Sequence, residues 1–124
     1  MTYQPGRANF RFYRGASFST EQVDITDAAG VPVDLSVGWT GRMRIWREDA
    51  DPATATPLFD SDVPSTLVLA LANGSFRGDI PFDQTLIDVG IDGETWYYRV
   101  ELTNTAATPD EVDRTLEGYV VAFP

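Results

Sequence analysis

Thr66-Leu67-Val68-Leu69-Ala70-Leu71-Ala72, then Asn73-Gly74, then Ser75-Phe76-Arg77-Gly78-Asp79-Ile80-Pro81-Phe82, is a β-hairpin written into the chain. Two alternating runs flank an Asn-Gly pair, and a two-residue loop of this kind favours a type I′ turn with positive φ at both central residues. Such a loop sets Ala72 opposite Ser75. Leu71 then faces Phe76, Leu69 faces Gly78 and Leu67 faces Ile80, so the apolar residues of both strands share one face. Arg77 and Asp79 fall on the other face, and Pro81 marks a strand end.

The same alternation recurs on either side. In Thr95 to Thr103 the set Trp96, Tyr98, Val100 and Leu102 is expected to line the core, with Tyr97, Arg99 and Glu101 opposite. Arg114 to Phe123 reads as a last strand in which Gly118 marks a bulge. Toward the N-terminus, Ala8 to Tyr13 and Phe18 to Thr26 read as strands joined by an Arg14-Gly15 turn. Val23 and Ile25 point inward, and Asp27 to Gly30 turns the chain into a short extended piece, Val31 to Leu35. Thr40 to Trp46 is a strand with Met43 and Ile45 on one face and Arg42, Arg44 and Trp46 on the other. Glu48 to Pro57 is a polar loop, Leu58-Phe59 opens a short strand, and Gln84 to Val89 is the one place for a helical turn. Short strands at this spacing, without a 3.6-residue period anywhere, predict an all-β, antiparallel immunoglobulin-like sandwich of about seven to eight strands, with an open barrel as the alternative. The expected organisation is an N-terminal arm, residues 1–7, and a single sandwich domain, residues 8–124.

Of the 124 residues none is cysteine, histidine or lysine. The usual nucleophiles, proton shuttles and soft metal ligands are therefore missing, which argues against an enzyme and for a binding or assembly role. Ser17, Ser19 and the other hydroxyls have no histidine or lysine to activate them, and the glycines form no phosphate-binding loop. Nineteen carboxylates make some glycosidase-like pair inevitable, so such a pair carries no information. Asp88 to Glu94 has alternating oxygens around glycine but lacks a full calcium-loop pattern. It reads as a solvated turn, as do Asp60-Ser61-Asp62 and Glu48 to Asp51. No cofactor and no metal is expected. The N-terminus carries no secretory signal and no run of apolar residues is long enough to span a bilayer, so neither export nor a membrane partner is expected.

A net charge of −10 disfavours nucleic acid as a partner. The charge is uneven, with +2 over residues 1–47 and −12 over the remainder, which either gives two faces of opposite potential or cancels where strands intermix. Aromatic and arginine side chains are typical anchors of protein interfaces. Strand parity puts Arg42, Arg44 and Trp46, and Tyr97 with Arg99, on outward faces as candidate anchors; the other reading is that these rings only cover a sheet edge or sit under a loop. Tyr3 and Arg7 of the arm are further candidates, since an extended arm can reach a neighbouring subunit.

Phe10-Arg11-Phe12-Tyr13-Arg14-Gly15-Ala16-Ser17-Phe18, Asp27 to Leu35, Trp39 to Ile45, Asn73-Gly74-Ser75-Phe76, Trp96 to Leu102 and Arg114 to Val121 together make a familiar layout. Across its whole length the chain resembles small β-sandwich structural proteins of tailed bacteriophages and prophages, and is similar to the N-terminal domain of phage baseplate upper proteins. The resemblance implies an attachment module and transfers no catalytic residue. Ser36-Val37-Gly38 and the long loop from Glu48 to Pro57 depart from the compact pattern. With the last strand reaching Pro124, the expectation is a free-standing virion structural protein that binds other virion proteins. It would act as capsid decoration (cement) or as a tail or baseplate adaptor, form a homo-oligomer and be assembled in the host cytoplasm. A soluble carbohydrate-binding module is the alternative from another class.

Overall fold

A computed structural model describes residues 6–27, 29–63, 66–105 and 111–124. Its strands are β1 (Gly6–Arg7), β2 (Phe10–Tyr13), β3 (Phe18–Ser19), β4 (Val23–Asp24), β5 (Trp39–Arg47), β6 (Phe59–Asp60), β7 (Val68–Ala72), β8 (Ser75–Ile80), β9 (Glu94–Asn104) and β10 (Glu111–Phe123). They form two sheets. One runs β10-β9-β5-β6, with β1 and β2 both on the far edge of β10; in the other, β8 lies between β7 on one side and β3 and β4 on the other. All pairings are antiparallel except those of β1 and β2 with β10. The molecule is thus an all-β sandwich. Among the described residues no helix is long and apolar enough to cross a membrane.

The core lies where alternation puts it. Trp96, Tyr98, Val100 and Leu102 of β9 and Met43 and Ile45 of β5 are buried against Phe76 and Ile80 of β8 and Leu67 just before β7. Phe12, Phe59 and Trp96 form an aromatic centre, with ring centroids 4.7 Å apart for Phe12 and Trp96 and 5.8 Å for Phe12 and Phe59. Each large side chain buried in this way contributes about 1.5–3 kcal/mol.

The hairpin has the expected register, with Ala72 opposite Ser75 and Leu69 opposite Gly78. Its turn differs. Gly74 has φ +80°, but Asn73 does not have positive φ, so the turn cannot be type I′. The cause is a third segment: Asp34 bridges Asn73, the Gly74 N–H donates to the Val33 carbonyl at 2.7 Å, and the Leu35 N–H donates to the Ala72 carbonyl. Asn73 is held in a ladder, where negative φ is required.

Other expectations are corrected in the same way. Gly118 pairs regularly with Tyr98, and the bulge in β10 lies between Arg114 and Leu116. Gly118 is needed for close approach, since a Cβ there would overlap the Ala8 carbonyl oxygen. That oxygen accepts a hydrogen bond from the Tyr98 hydroxyl at 2.6 Å, and the Asn9 side chain accepts from the Tyr119 N–H at 3.1 Å. The Ala8–Asn9 interruption between β1 and β2 is therefore satisfied by side chains. The expected strand from Phe18 to Thr26 is likewise broken at Thr20, whose hydroxyl accepts from the Gly78 N–H, and at Glu21, which has φ 58°. The helical turn is a 3₁₀ turn over Phe82–Gln84, earlier than expected.

Gly6–Arg7, expected in the arm, pairs with Leu116–Glu117. Met1–Pro5, including Tyr3, lies outside the described residues, and Arg7 is described through its backbone only.

Gly118→Ala should force the N-terminal strand away from β10 and cost about 2 kcal/mol or more, in the range of overpacked cores. Gly30→Ala meets open space at φ +80° and should cost about 1 kcal/mol through backbone strain alone. Denaturant midpoints of the two variants against the parent measure the difference.

Candidate interaction face

The outer face of the six-stranded sheet carries the residues singled out from the sequence. Register places them in rows. Trp46 lies opposite Tyr97 and Tyr97 opposite Tyr119, so three aromatic residues cross β5, β9 and β10. Arg44 lies opposite Arg99, with Asp60 on the far side of Arg44 and Glu117 on the far side of Arg99. Arg42 lies opposite Glu101. In the other direction Val121 is flanked by Thr95 and Arg11, and Phe123 pairs with Tyr13. The face therefore changes from ionic to apolar along the strands.

Two arginines side by side need compensation, because like charges directly opposite one another destabilise a sheet. Glu101 supplies it. Its Oε1 lies 2.8 Å from Arg44 Nη2 and 3.7 Å from Arg99 Nη1. The indole of Trp46 adds a second contact, with the Arg44 and Arg99 guanidinium carbons 4.9 and 5.8 Å from its ring centroid. Tyr97 stacks on Trp46 at 5.9 Å and 23°, and its hydroxyl donates to Glu117 Oε2 at 2.9 Å.

This packing corrects the expectation of exposed anchors on β5 and β9. Trp46 is on the outward side but 0% exposed, and it lies outside the main core cluster. The Arg44 and Arg99 side chains are each only 18% exposed. Trp46 Nε1, Arg44 Nε and Arg99 Nε are buried without a hydrogen-bond partner among the described residues. Arg42, at 42%, is the more accessible arginine, but Asp60 holds it through Nε and Nη2 at 3.1 and 2.7 Å and Asp62 lies 3.1 Å away. Arg47 pairs with Glu94. Arg42, Arg44 and Arg47 of β5 are thus each matched with an acid from later in the chain.

The accessible part of the face lies one and two strands farther on. Tyr119 and Val121 of β10 and Tyr13 of β2 are exposed, and the Tyr13 and Phe123 rings stack at 5.0 Å and 15°. Sequence reasoning assigned these strands but attached no role to the outward residues. The signal was present in Tyr119-Val120-Val121-Ala122-Phe123, where the outward positions are as apolar as the inward ones.

The Asp88 to Glu94 loop closes on itself. The Gly93 N–H donates to the Gly90 carbonyl, and Glu94 Oε2 accepts from the Gly90 N–H at 2.7 Å. An open depression of about 530 Å³ beside it is lined by Arg47, Glu48, Asp49, Glu94 and Thr95. Among the described residues no group of three His, Cys, Asp or Glu side chains is placed to hold a metal ion.

The Arg42 guanidinium, first by its hydrogen bonds and then by its charge, holds the Asp60 carboxyl below its ordinary value of 3.8, against the opposing effect of burial; the Asp62 N–H contributes as well. A depressed carboxylate adds stability that is fully present above its unfolded value and is lost as pH falls through the folded one. Arg42→Gln should therefore raise the Asp60 titration midpoint toward 3.8 and move acid unfolding to higher pH. Carboxyl NMR titration of Asp60 and acid unfolding curves read the two effects.

Comparison with protein-family models, with curated proteins and with solved structures returns no match, so the reading of this face rests on its own geometry.

Proposed function

We propose that this chain is a non-enzymatic virion structural protein that binds other virion proteins, as capsid decoration or as a tail or baseplate adaptor. The partner meets the outer face of the six-stranded sheet at β10 and β2. The observation that carries the binding role is the exposed apolar strip of Tyr119, Val121 and Tyr13, with Phe123 stacked on Tyr13. Exposed apolar residues gathered on one rigid sheet face mark interaction sites, and aromatic anchors dominate binding energy there. The paired layer beneath and beside them holds the strip flat: Tyr97 contacts Tyr119 at 6.4 Å and is itself clamped by Trp46 and Glu117. The virion setting rests on the resemblance in sequence layout.

One observation favours the carbohydrate-binding alternative, namely the near-parallel Tyr13–Phe123 pair, since flat aromatic surfaces also receive sugar rings. Retention on a glycan array that Tyr13→Ala abolishes would establish that reading in place of the first.

The deciding measurement is the copy number of the polypeptide relative to the major capsid protein in purified particles. A comparable number means decoration, a small symmetric multiple means a tail or baseplate part, and absence removes the virion role. Tyr119→Ser with Val121→Ser removes the Tyr119 contact with Tyr97 and should cost about 1 kcal/mol, leaving the protein folded, yet reduce incorporation about tenfold or more.

A further inference from the structure

We infer that β7 is a self-association edge, on which a second copy of this chain adds its own β7 antiparallel about a two-fold axis and joins two four-stranded sheets into one. The inference is independent of what meets the outer face of the other sheet. It begins with backbone accounting. In its ladder with β8, β7 has Ala72 opposite Ser75 next to the two-residue loop, and hydrogen-bonded pairs then alternate through Ala70–Arg77 and Val68–Asp79. Leu69 and Leu71 consequently turn their N–H and C=O groups away from β8. Among the described residues β7 has no other strand partner, and neither residue makes a backbone hydrogen bond on that side. At the hairpin end this edge is already closed by Leu35, which donates to the Ala72 carbonyl, and at the other end the Leu67 N–H is used by Val63. What is left open is a short window centred on Ala70.

The chemistry of that window fits the same chain. Residues 66–72 contain no charge in a molecule carrying −10, and no proline, so the usual protections of an exposed edge are missing. Two copies that meet at this window bring no like charges together from the strand itself. The nearest charges on the exposed side of β8, Arg77 and Asp79, neutralise each other at 2.8 Å. With the two-fold axis at Ala70, Leu69 of one copy pairs with Leu71 of the other, and both pairs use the open N–H and C=O groups. Val68, Ala70 and Ala72 are exposed on the outer side and small enough to lie opposite Ala72, Ala70 and Val68 of the second copy without a clash. On the inner side Leu69 and Leu71 are only half-buried, although they pack on the core and reach Gly41 of the facing sheet. The second copy sets its Leu71 and Leu69 beside them and extends the core across the axis. An isologous contact of this kind closes at two copies.

The test uses the purified chain alone. Sedimentation equilibrium over a concentration series should give twice the monomer mass at the upper end. Ala70→Lys places two like charges opposite each other on the axis, at a position exposed in the monomer. It should raise the dimer dissociation constant about tenfold or more while leaving the circular dichroism spectrum unchanged. Amide exchange provides the second readout: the Leu69 and Leu71 amides should be protected in the parent and should exchange freely in Ala70→Lys. A parent that stays monomeric throughout, a variant that dimerises as well as the parent, or a dimer whose Leu69 and Leu71 amides remain unprotected would each overturn the assignment.

Discussion

Gly41 on β5 and Gly78 on β8 face the interior from opposite sheets, and the distance between the sheets depends on both. A Cβ on Gly78 would lie 2.6 Å from Met43 Sδ, and one on Gly41 would lie 2.9 Å from Leu69 Cδ2 and 3.0 Å from Leu102 Cδ2. Each sheet thus gives up a side chain where the other projects one, Met43 into the gap at Gly78 and Leu69 with Leu71 into the gap at Gly41. Interlocking of this kind is how interiors reach crystal-like density with few voids. The rest follows from it. Met43 can be fully buried because Gly78 makes room, and the interruption between β3 and β4 can bring Thr20 to the Gly78 N–H. β7, which among the described residues has β8 as its one strand neighbour, is anchored chiefly by its leucines.

A second layer is built on the outside of the six-stranded sheet, where a sandwich of this size usually shows solvated side chains. Trp46 is covered there as completely as any core residue. The contacts that hold it are of mixed kind: Tyr97 stacks on it, two guanidiniums lie within 6 Å of its centroid, and Glu101 offsets their charge. Arginine suits this role better than lysine, because its flat, weakly hydrated head can lie on a ring while donating to a carboxylate. The complete preference for arginine over lysine in the chain has a local use at these positions, whatever its origin. The cluster ties β5 to β9 through side chains as well as backbone, and Tyr119 packs at its edge against Tyr97.

Period-two alternation was sufficient to read β5, β8, β9 and the hairpin register, because those strands bury one face and a slip of one residue would expose it. The features that were illegible depend on contacts distant in sequence. Asn73-Gly74 has the composition of a type I′ turn, and only the presence of Asp34 and Val33 across it changes the φ of Asn73. Gly118 in a strand signals either a bulge or a close approach, and which one is decided by where Ala8 passes. The candidate face was found in part for the same reason. Parity separates one side of a sheet from the other, so Arg42, Arg44, Trp46, Tyr97 and Arg99 were placed on the correct side. It does not say what lies on top, and Trp46 is closed off while Tyr119 and Tyr13 are open.

The two surfaces proposed for binding belong to different sheets and obey different physics. β10 is paired on both sides, with β9 on one and β1 and β2 on the other, so a partner on this face gains by covering side chains, and the aromatic strip favours a wide, flat contact. On the edge of β7 away from β8 the backbone groups of Leu69 and Leu71 have no strand partner among the described residues and the outer side chains are small, so a partner gains chiefly by completing a ladder, which requires an extended strand of matching direction and length. Neither site can substitute for the other. A chain with both could associate with itself through one sheet and still present the strip of the other sheet twice, related by the same two-fold axis. Two weak contacts offered together to a repetitive surface bind far more tightly than either alone, provided the spacing matches. The rigidity conferred by the Trp46 cluster and by the interlocked glycines is what would keep that spacing constant.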